Sequence, residues 1–89
     1  MKIAVLPRIH ERHPDVVPDD VMSAFTNQFI HVQRANGSWV GLGSDSHNRL
    51  LEMAYLQNDD YEIVIYHAMT PPTKKFVKEI ERLTGRRVR

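Results

Sequence analysis

Five histidines, His10, His13, His31, His47 and His67, are the side chains of this 89-residue sequence that ordinarily titrate near neutrality. His67 is the most pointed of them. It follows the apolar run Ile63-Val64-Ile65-Tyr66 and comes just before a segment carrying Lys74, Lys75, Lys78 and Arg82. Binding a polyanion takes several cations on one face, and cleaving RNA takes at least one group that exchanges a proton near neutral pH. Two readings of His67 stand side by side: a histidine that hydrogen-bonds across a sheet with no chemistry, or a general acid or base. His10 and His13 sit one helical turn apart and would point the same way, as metal ligands or an acid–base pair do. The chain has no cysteine and no close set of further ligands, so neither a thiolate metal site nor a disulfide framework is available. No metal or other cofactor is expected. His47, in a polar turn, and His31, on a hairpin, read as solvated.

Arg49 opens a strand directly after that polar turn. A guanidinium there suits two-point phosphate contact and stabilisation of a doubly charged oxyphosphorane, or is simply an exposed strand-end charge. Lys74, Lys75, Lys78 and Arg82, with Arg12 near the other end, are the candidate RNA-binding cations. The plain alternative is a solvated helix face. Trp39, Tyr55, Tyr61 and Tyr66 could stack on bases, although aromatics at strand spacing more often pack across strands. Gly41-Leu42-Gly43 lacks the strand-to-helix context of a phosphate loop, and no Ser-centred elbow occurs.

The overall charge of +1 hides a polarity along the chain. Residues 1–34 balance, residues 35–73 carry a net −4, and residues 74–89 carry a net +5. At 42% hydrophobic and 26% charged, the composition is that of one ordinary globular domain spanning residues 1–89. A core this small is marginal, so a partner or a homodimer would add stability. Ile3-Ala4-Val5-Leu6 is too short for a leader or a membrane span, and no later stretch is longer, so a cytoplasmic protein is expected.

The elements that must position these residues follow from pattern. Met1–Leu6 reads as a short strand or a packed arm. Residues 8–13 suit a helical turn that stops before Pro14. Pro18 suits the first position of a second helix, Asp19 and Asp20 favour its dipole, and Val21, Ala24 and Phe25 form its stripe. Phe29–Ala35 and Ser38–Leu42 flank Asn36-Gly37, the dipeptide of a tight two-residue hairpin, which would set Arg34 opposite Trp39. Gly41 and Gly43 signal a bulge or a close backbone approach. Apolar strands follow at Arg49–Leu56 and Tyr61–Ala68. A last helix begins with Thr70 as cap and Pro71 in its first turn, turns Thr73, Phe76, Val77, Ile80 and Leu83 to the core, and stops at Gly85. The short charged tail, residues 85–89, is expected to be mobile. The fold class is α+β: two N-terminal helices, a four-stranded antiparallel meander and a C-terminal helix.

That order resembles the small RelE/ParE-type toxins of bacterial toxin–antitoxin pairs, BrnT-type toxins in particular. Arg12-His13-Pro14-Asp15-Val16, followed by Asp19-Asp20-Val21 and Phe25, is similar to the family's Lys-His-Gly-Val opening and its acidic helix start. Gly41-Leu42-Gly43 and Arg49-Leu50-Leu51-Glu52-Met53 resemble its Ile-Gly and Arg-Leu-Leu-Val-Val strand pair. Tyr66-His67-Ala68-Met69 falls where the family has Ile-Ser-Ala-Arg, with His67 in place of the serine and Met69 in place of the arginine. The resemblance implies an RNA-cleaving toxin silenced by an antitoxin encoded beside it. By position it brings over Arg12, His13, Arg49 and Lys75; His67 comes from local chemistry alone. Either the catalytic set is redrawn, with His67 and the lysines standing in, or the activity has drifted or been lost; His67, His13 and Arg49 are the candidate catalytic residues. The competing reading is a non-catalytic binding domain of the same fold, a ParE-type target blocker or a partner-binding module that meets an acidic protein with its +5 end. The nuclease reading requires His67 and the lysines of the last helix to share one solvent-facing hollow.

Overall fold

The strand Leu50–Gln57 is apolar at almost every position because both of its faces are covered. In the computed structural model, which describes residues 2–88, the chain order is β1 (Lys2–Val5), α1 (Arg8–Arg12), α2 (Pro18–Thr26), β2 (Gln28–Gln33), β3 (Trp39–Ser44), β4 (Leu50–Gln57), β5 (Glu62–Met69) and α3 (Lys74–Thr84). The sheet runs β1-β5-β4-β3-β2, so β4 is central. Leu51, Met53 and Tyr55 pack under α1 and α2 with Ile9, Val16, Val21 and Ala24. On the reverse face Ala54, with Val40, Leu42 and Ile30 from the neighbouring strands, packs under Phe76 and Ile80 of α3. Successive residues of a strand point to opposite faces, so one apolar run serves two layers.

The α+β class agrees with expectation, but the sheet has five strands rather than four and is mixed. β1 pairs in parallel with β5, Lys2 opposite Glu62 through Val5 opposite Ile65. Four residues carry too little periodicity to announce such a pairing, and their partner lies near the other end of the chain.

The hairpin differs by one register step. Gln33, not Arg34, stands opposite Trp39. The Arg34 N–H donates to the Ser38 carbonyl (2.7 Å) and the Gly37 N–H to the Arg34 carbonyl (2.9 Å). Gly37 has φ +96°, while Asn36 is not among the positive-φ residues, so a two-residue turn needing both is ruled out. Asn36 instead spends its side chain on the turn, its Oδ1 accepting from the N–H and the hydroxyl of Ser38 at 3.0 and 2.8 Å. Released from Trp39, Arg34 forms a two-point pair with Glu79 of α3, Nε to Oε2 at 2.7 Å and Nη2 to Oε1 at 2.9 Å.

α3 starts later than its sequence signal. Thr73, assigned above to the apolar stripe, is the cap, its hydroxyl accepting from the Phe76 N–H at 3.2 Å. The residue before a proline is disfavoured in helical conformation, so Pro71-Pro72 delays the first turn. Thr70, the expected cap, donates its hydroxyl to the Leu50 carbonyl at 2.7 Å. The helix ends where expected, at Gly85 with φ +70°. Beyond it the Val88 N–H donates to Glu81 at 2.9 Å and the Val88 side chain packs partly on the α3 layer; Arg89 lies outside the described residues.

The close approach signalled by the glycines of β3 is real. A Cβ on Gly43 would stand 2.0 Å from the Ala24 carbonyl oxygen, a backbone atom that cannot swing aside. Gly43→Ala must therefore push the end of α2 off the sheet and is expected to cost about 1–3 kcal/mol. Urea denaturation measures this, and an unshifted midpoint would mean that α2 is not seated on β3.

Candidate functional site

An irregularity in β5 decides where His67 goes. Ile63 and Ile65 point into the layer under α1 and α2, and simple alternation would bury His67 beside them. The register shifts, however: Tyr55 pairs with Ile65 and Ala54 with His67, leaving Tyr66 as an extra residue. Such bulges re-aim the side chains that follow. Here the bulge turns His67 toward Glu52 of β4, whose Oε2 lies 2.7 Å from the imidazole Nε2.

Glu52 is buried, 3% exposed, and its second oxygen is also used. Oε1 accepts from the Thr73 N–H at 2.7 Å and from the Thr73 hydroxyl at 3.2 Å. With Glu52 as acceptor, His67 donates from Nε2, and its Nδ1 has no hydrogen-bond partner among the described residues. The ring is packed against Phe76, with centroids 6.2 Å apart. His13 approaches edge-on, its centroid 6.3 Å from that of His67 at an interplanar angle of 82°. Around the two imidazoles lies a shallow hollow of about 20 Å³ between α1 and β5, lined also by Arg8, Arg12 and Tyr66. Arg8 is oriented by a bond from its Nε to the Tyr66 carbonyl (3.4 Å), and Arg12 makes no ion pair among the described residues. His10 is turned elsewhere, its Nδ1 3.1 Å from the Val16 carbonyl, so the expected His10–His13 pairing does not form.

Arg49 is not in this hollow. Its Nε meets Asp45 at 2.9 Å, its Nη2 meets Asp20 at 2.9 Å, and its Nη1 meets the Asp15 carbonyl at 2.9 Å. The side chains of Asp20 and Asp45 are only 6% and 0% exposed, so Arg49 is the counter-ion of two buried carboxylates. The structure does not bring Arg49, expected beside His67 and His13, to the hollow that those two line. Burial pushes the Asp45 carboxyl up, but the N–H groups of Arg49 and His47 and the Arg49 guanidinium outweigh it and hold the group below its ordinary range. For Arg49 burial acts downward, and the three carboxylates more than compensate, raising its already high value. Asp20, Asp45 and His47 stand within 4.8 Å of one another, close enough for metal ligands, but the guanidinium already supplies the cation between the two acids.

The lysines are separate again. Lys74, Lys75, Lys78 and Arg82 line a broad, open depression of about 720 Å³ along the outer side of α3, and His67 is not among its walls. The two hollows share no wall residue, so the single hollow expected above does not form, although His67 stays on the α3 side of the sheet, paired with Ala54 and packed on Phe76. Within the depression Glu79 is occupied by Arg34, whose hydrogen bond holds the Glu79 carboxyl low against the opposing effect of burial.

A third hollow, of about 210 Å³, lies beside α2 and is walled by Phe25, Trp39 and Tyr55 with Gln28, His31 and Gln57 at its margin. Burial pushes the Tyr55 phenol above its ordinary value, opposed by a bond from Gln28. The sequence pointed to His67 and His13. It gave no sign of Glu52, which sits in an apolar run, or of Arg8, an unremarkable cation beside Pro7. Comparison with known protein families, curated proteins and solved structures finds no match for this chain.

The Arg49 cluster makes a pH dependence. Because the folded Asp45 carboxyl binds its proton more weakly than the unfolded one, its contribution is complete above the ordinary value of 3.8 and disappears as pH falls through the folded value. Unfolding free energy measured against pH should fall more gently below that point in Asp45→Asn than in the parent chain. Equal slopes would exclude Asp45 as a source of acid sensitivity.

Proposed function

We propose that this chain cleaves RNA without a metal, using His67 and His13 as the proton-transfer pair. The observation that carries the reading is the Glu52-held imidazole of His67 facing a second imidazole across a hollow rimmed by Arg8 and Arg12. Phosphodiester cleavage by the neighbouring ribose needs a base for the 2′-hydroxyl proton, charge compensation at phosphorus, and an acid for the departing 5′-oxygen. His67 fits the base: Nδ1 takes the proton, and the imidazolium that forms is offset by Glu52 through Nε2. The 2′-oxygen bonds to phosphorus, the bond to the 5′-oxygen breaks, and a protonated His13 supplies that oxygen with its proton. The products are a 2′,3′-cyclic phosphate and a free 5′-hydroxyl. Arg8 and Arg12 neutralise the phosphate. A hollow this shallow holds a phosphate at its mouth and not a whole nucleotide, so affinity must come from elsewhere on the surface.

Because the α3 cations do not share the imidazoles' hollow, the reacting phosphate goes, contrary to the expectation above, to Arg8 and Arg12, and Lys74, Lys75, Lys78 and Arg82 are left to track the backbone away from the cut. With the resemblance to RelE/ParE-type toxins, this reading makes the protein the toxin of a toxin–antitoxin pair, held silent by its antitoxin. Among the described residues no helix is long and apolar enough to cross a membrane. One observation favours a second reading: the basic depression shares no wall residue with the hollow of the imidazoles, as in a non-catalytic module whose α3 docks an acidic partner protein.

Purified chain incubated with labelled RNA in excess chelator should give 2′,3′-cyclic phosphate ends. His67→Ala is expected to slow cleavage by about 10²–10⁴-fold, and His13→Ala comparably. Undiminished cleavage in His67→Ala would remove that imidazole from the chemistry. Lys75→Ala with Lys78→Ala should weaken single-stranded RNA binding and lower the slope of log affinity against log salt by about 0.7 per lost contact. An unchanged slope, together with tight binding to an acidic protein, would favour the second reading.

A further inference from the structure

The hollow beside α2 is walled by three aromatic rings, Phe25 and Trp39 half-buried and Tyr55 buried. Trp39 and Tyr55, cross-strand neighbours on β3 and β4, hold their rings within 8° of parallel with centroids 6.3 Å apart. Phe25 reaches down from α2 and meets Tyr55 edge-on, at 4.9 Å and 81°. His31 leans over Trp39 at 5.5 Å and 40°. At about 210 Å³ the space falls below the roughly 300–1,000 Å³ typical of pockets for whole drug-sized ligands. It accommodates one planar ring system and excludes a complete nucleotide.

The polar group at this hollow is incompletely used. Gln28 donates from Nε2 to the Tyr55 hydroxyl at 3.3 Å, and its Oε1 is buried with no hydrogen-bond partner among the described residues. The amide sits against Gly41, where a Cβ would come 1.8 Å from that oxygen and push the side chain from its present position. A half-turn about the last side-chain bond exchanges the amide's two ends, allowing it to present either an acceptor or a donor toward a ligand edge. Gln57 offers a second, exposed amide at the same margin. Aromatic faces with side-chain amides beside them are the means by which single-stranded RNA bases are held, the face gripping the ring and the amide reading its edge.

We infer that the Phe25–Trp39–Tyr55 hollow binds one unstacked nucleobase, whose edge is read by Gln28. This deepens the RNA reading above, on which it rests for its biological ligand, and assigns sequence preference to a site apart from the imidazoles. Ile63 contributes to this hollow and His67 to the other, four positions along β5, or roughly 13 Å at about 3.3 Å per residue. The base held here would therefore be a few nucleotides from the phosphate that reacts.

Trp39 is the only tryptophan of the chain, so its fluorescence reports the hollow directly. The intact protein is titrated with adenosine, guanosine, cytidine and uridine, and with benzyl alcohol as an apolar ring of similar width. Saturable quenching by at least one nucleoside at lower concentration than by benzyl alcohol is expected. Removing a stacking wall with Phe25→Ala should weaken binding roughly 5- to 150-fold. Gln28→Ala, which removes the amide but none of the three aromatic walls, should flatten the preference among the four. Lack of quenching by any nucleoside, equal quenching by benzyl alcohol, or an unaltered preference in Gln28→Ala would each overturn the inference. Free nucleosides have no phosphodiester to cut. Quenching in a protein that fails to cleave RNA would leave the base site standing and remove the nuclease reading, and cleavage without quenching would do the reverse.

Discussion

Placing a carboxylate inside a sheet costs several kcal/mol unless its oxygens are met, and Glu52 meets that cost from two directions. One oxygen faces His67 on β5; the other receives both donors of Thr73, the cap of α3. The same side chain therefore fixes an imidazole and sets where the last helix begins. If Glu52 were apolar, Thr73 would lose the acceptor for its backbone N–H and His67 would lose the acceptor at its Nε2. The candidate chemistry and the seating of α3 are not independent features of this molecule.

A second ionic knot stands on the other side of β4. Arg49 joins Asp45 of its own turn to Asp20 of α2, and Asp20 also accepts from the Val17 N–H at 3.0 Å to close the first turn of that helix. Both knots follow one logic, a nearly inaccessible acid answered by a partly exposed base. They differ in what the base has left over. The guanidinium of Arg49 is bonded at each of its nitrogens, whereas the His67 ring keeps one nitrogen uncommitted. That spare nitrogen is what passing a proton requires.

How much was legible in the sequence depended on how local the cause was. α2, the four strands of the meander, the stop at Gly85 and the close approach at Gly43 all follow from residues within a few positions of the feature. The hairpin loop was legible in kind but not in register, because Asn36 used its side chain on Ser38 instead of adopting positive φ. Thr73 and Thr70 exchanged roles because a doublet of prolines displaced the helix start. β1 was ambiguous because its partner strand lies at the far end of the chain. Of the site, the histidines were visible as chemistry-bearing residue types. Arg49 was misplaced because three acids from separate segments, Asp15, Asp20 and Asp45, converge on it. The bulge at Tyr66, which alone decides the face on which His67 emerges, left no mark in an apolar strand.

The parallel pairing of β1 with β5 has a kinetic consequence. Strands β2 to β5 are joined by short connections and can associate as each leaves its turn, while the Lys2–Glu62 pairing must wait until nearly the whole chain has been gathered. β1 then behaves as a latch that closes last and opens first. Its departure bares the outer border of β5, the strand carrying His67, while leaving the meander intact. Those amides of residues 62–65 that point to β1 rather than β4 should accordingly exchange with solvent sooner than those of β4, by an opening that does not require the interior to come apart.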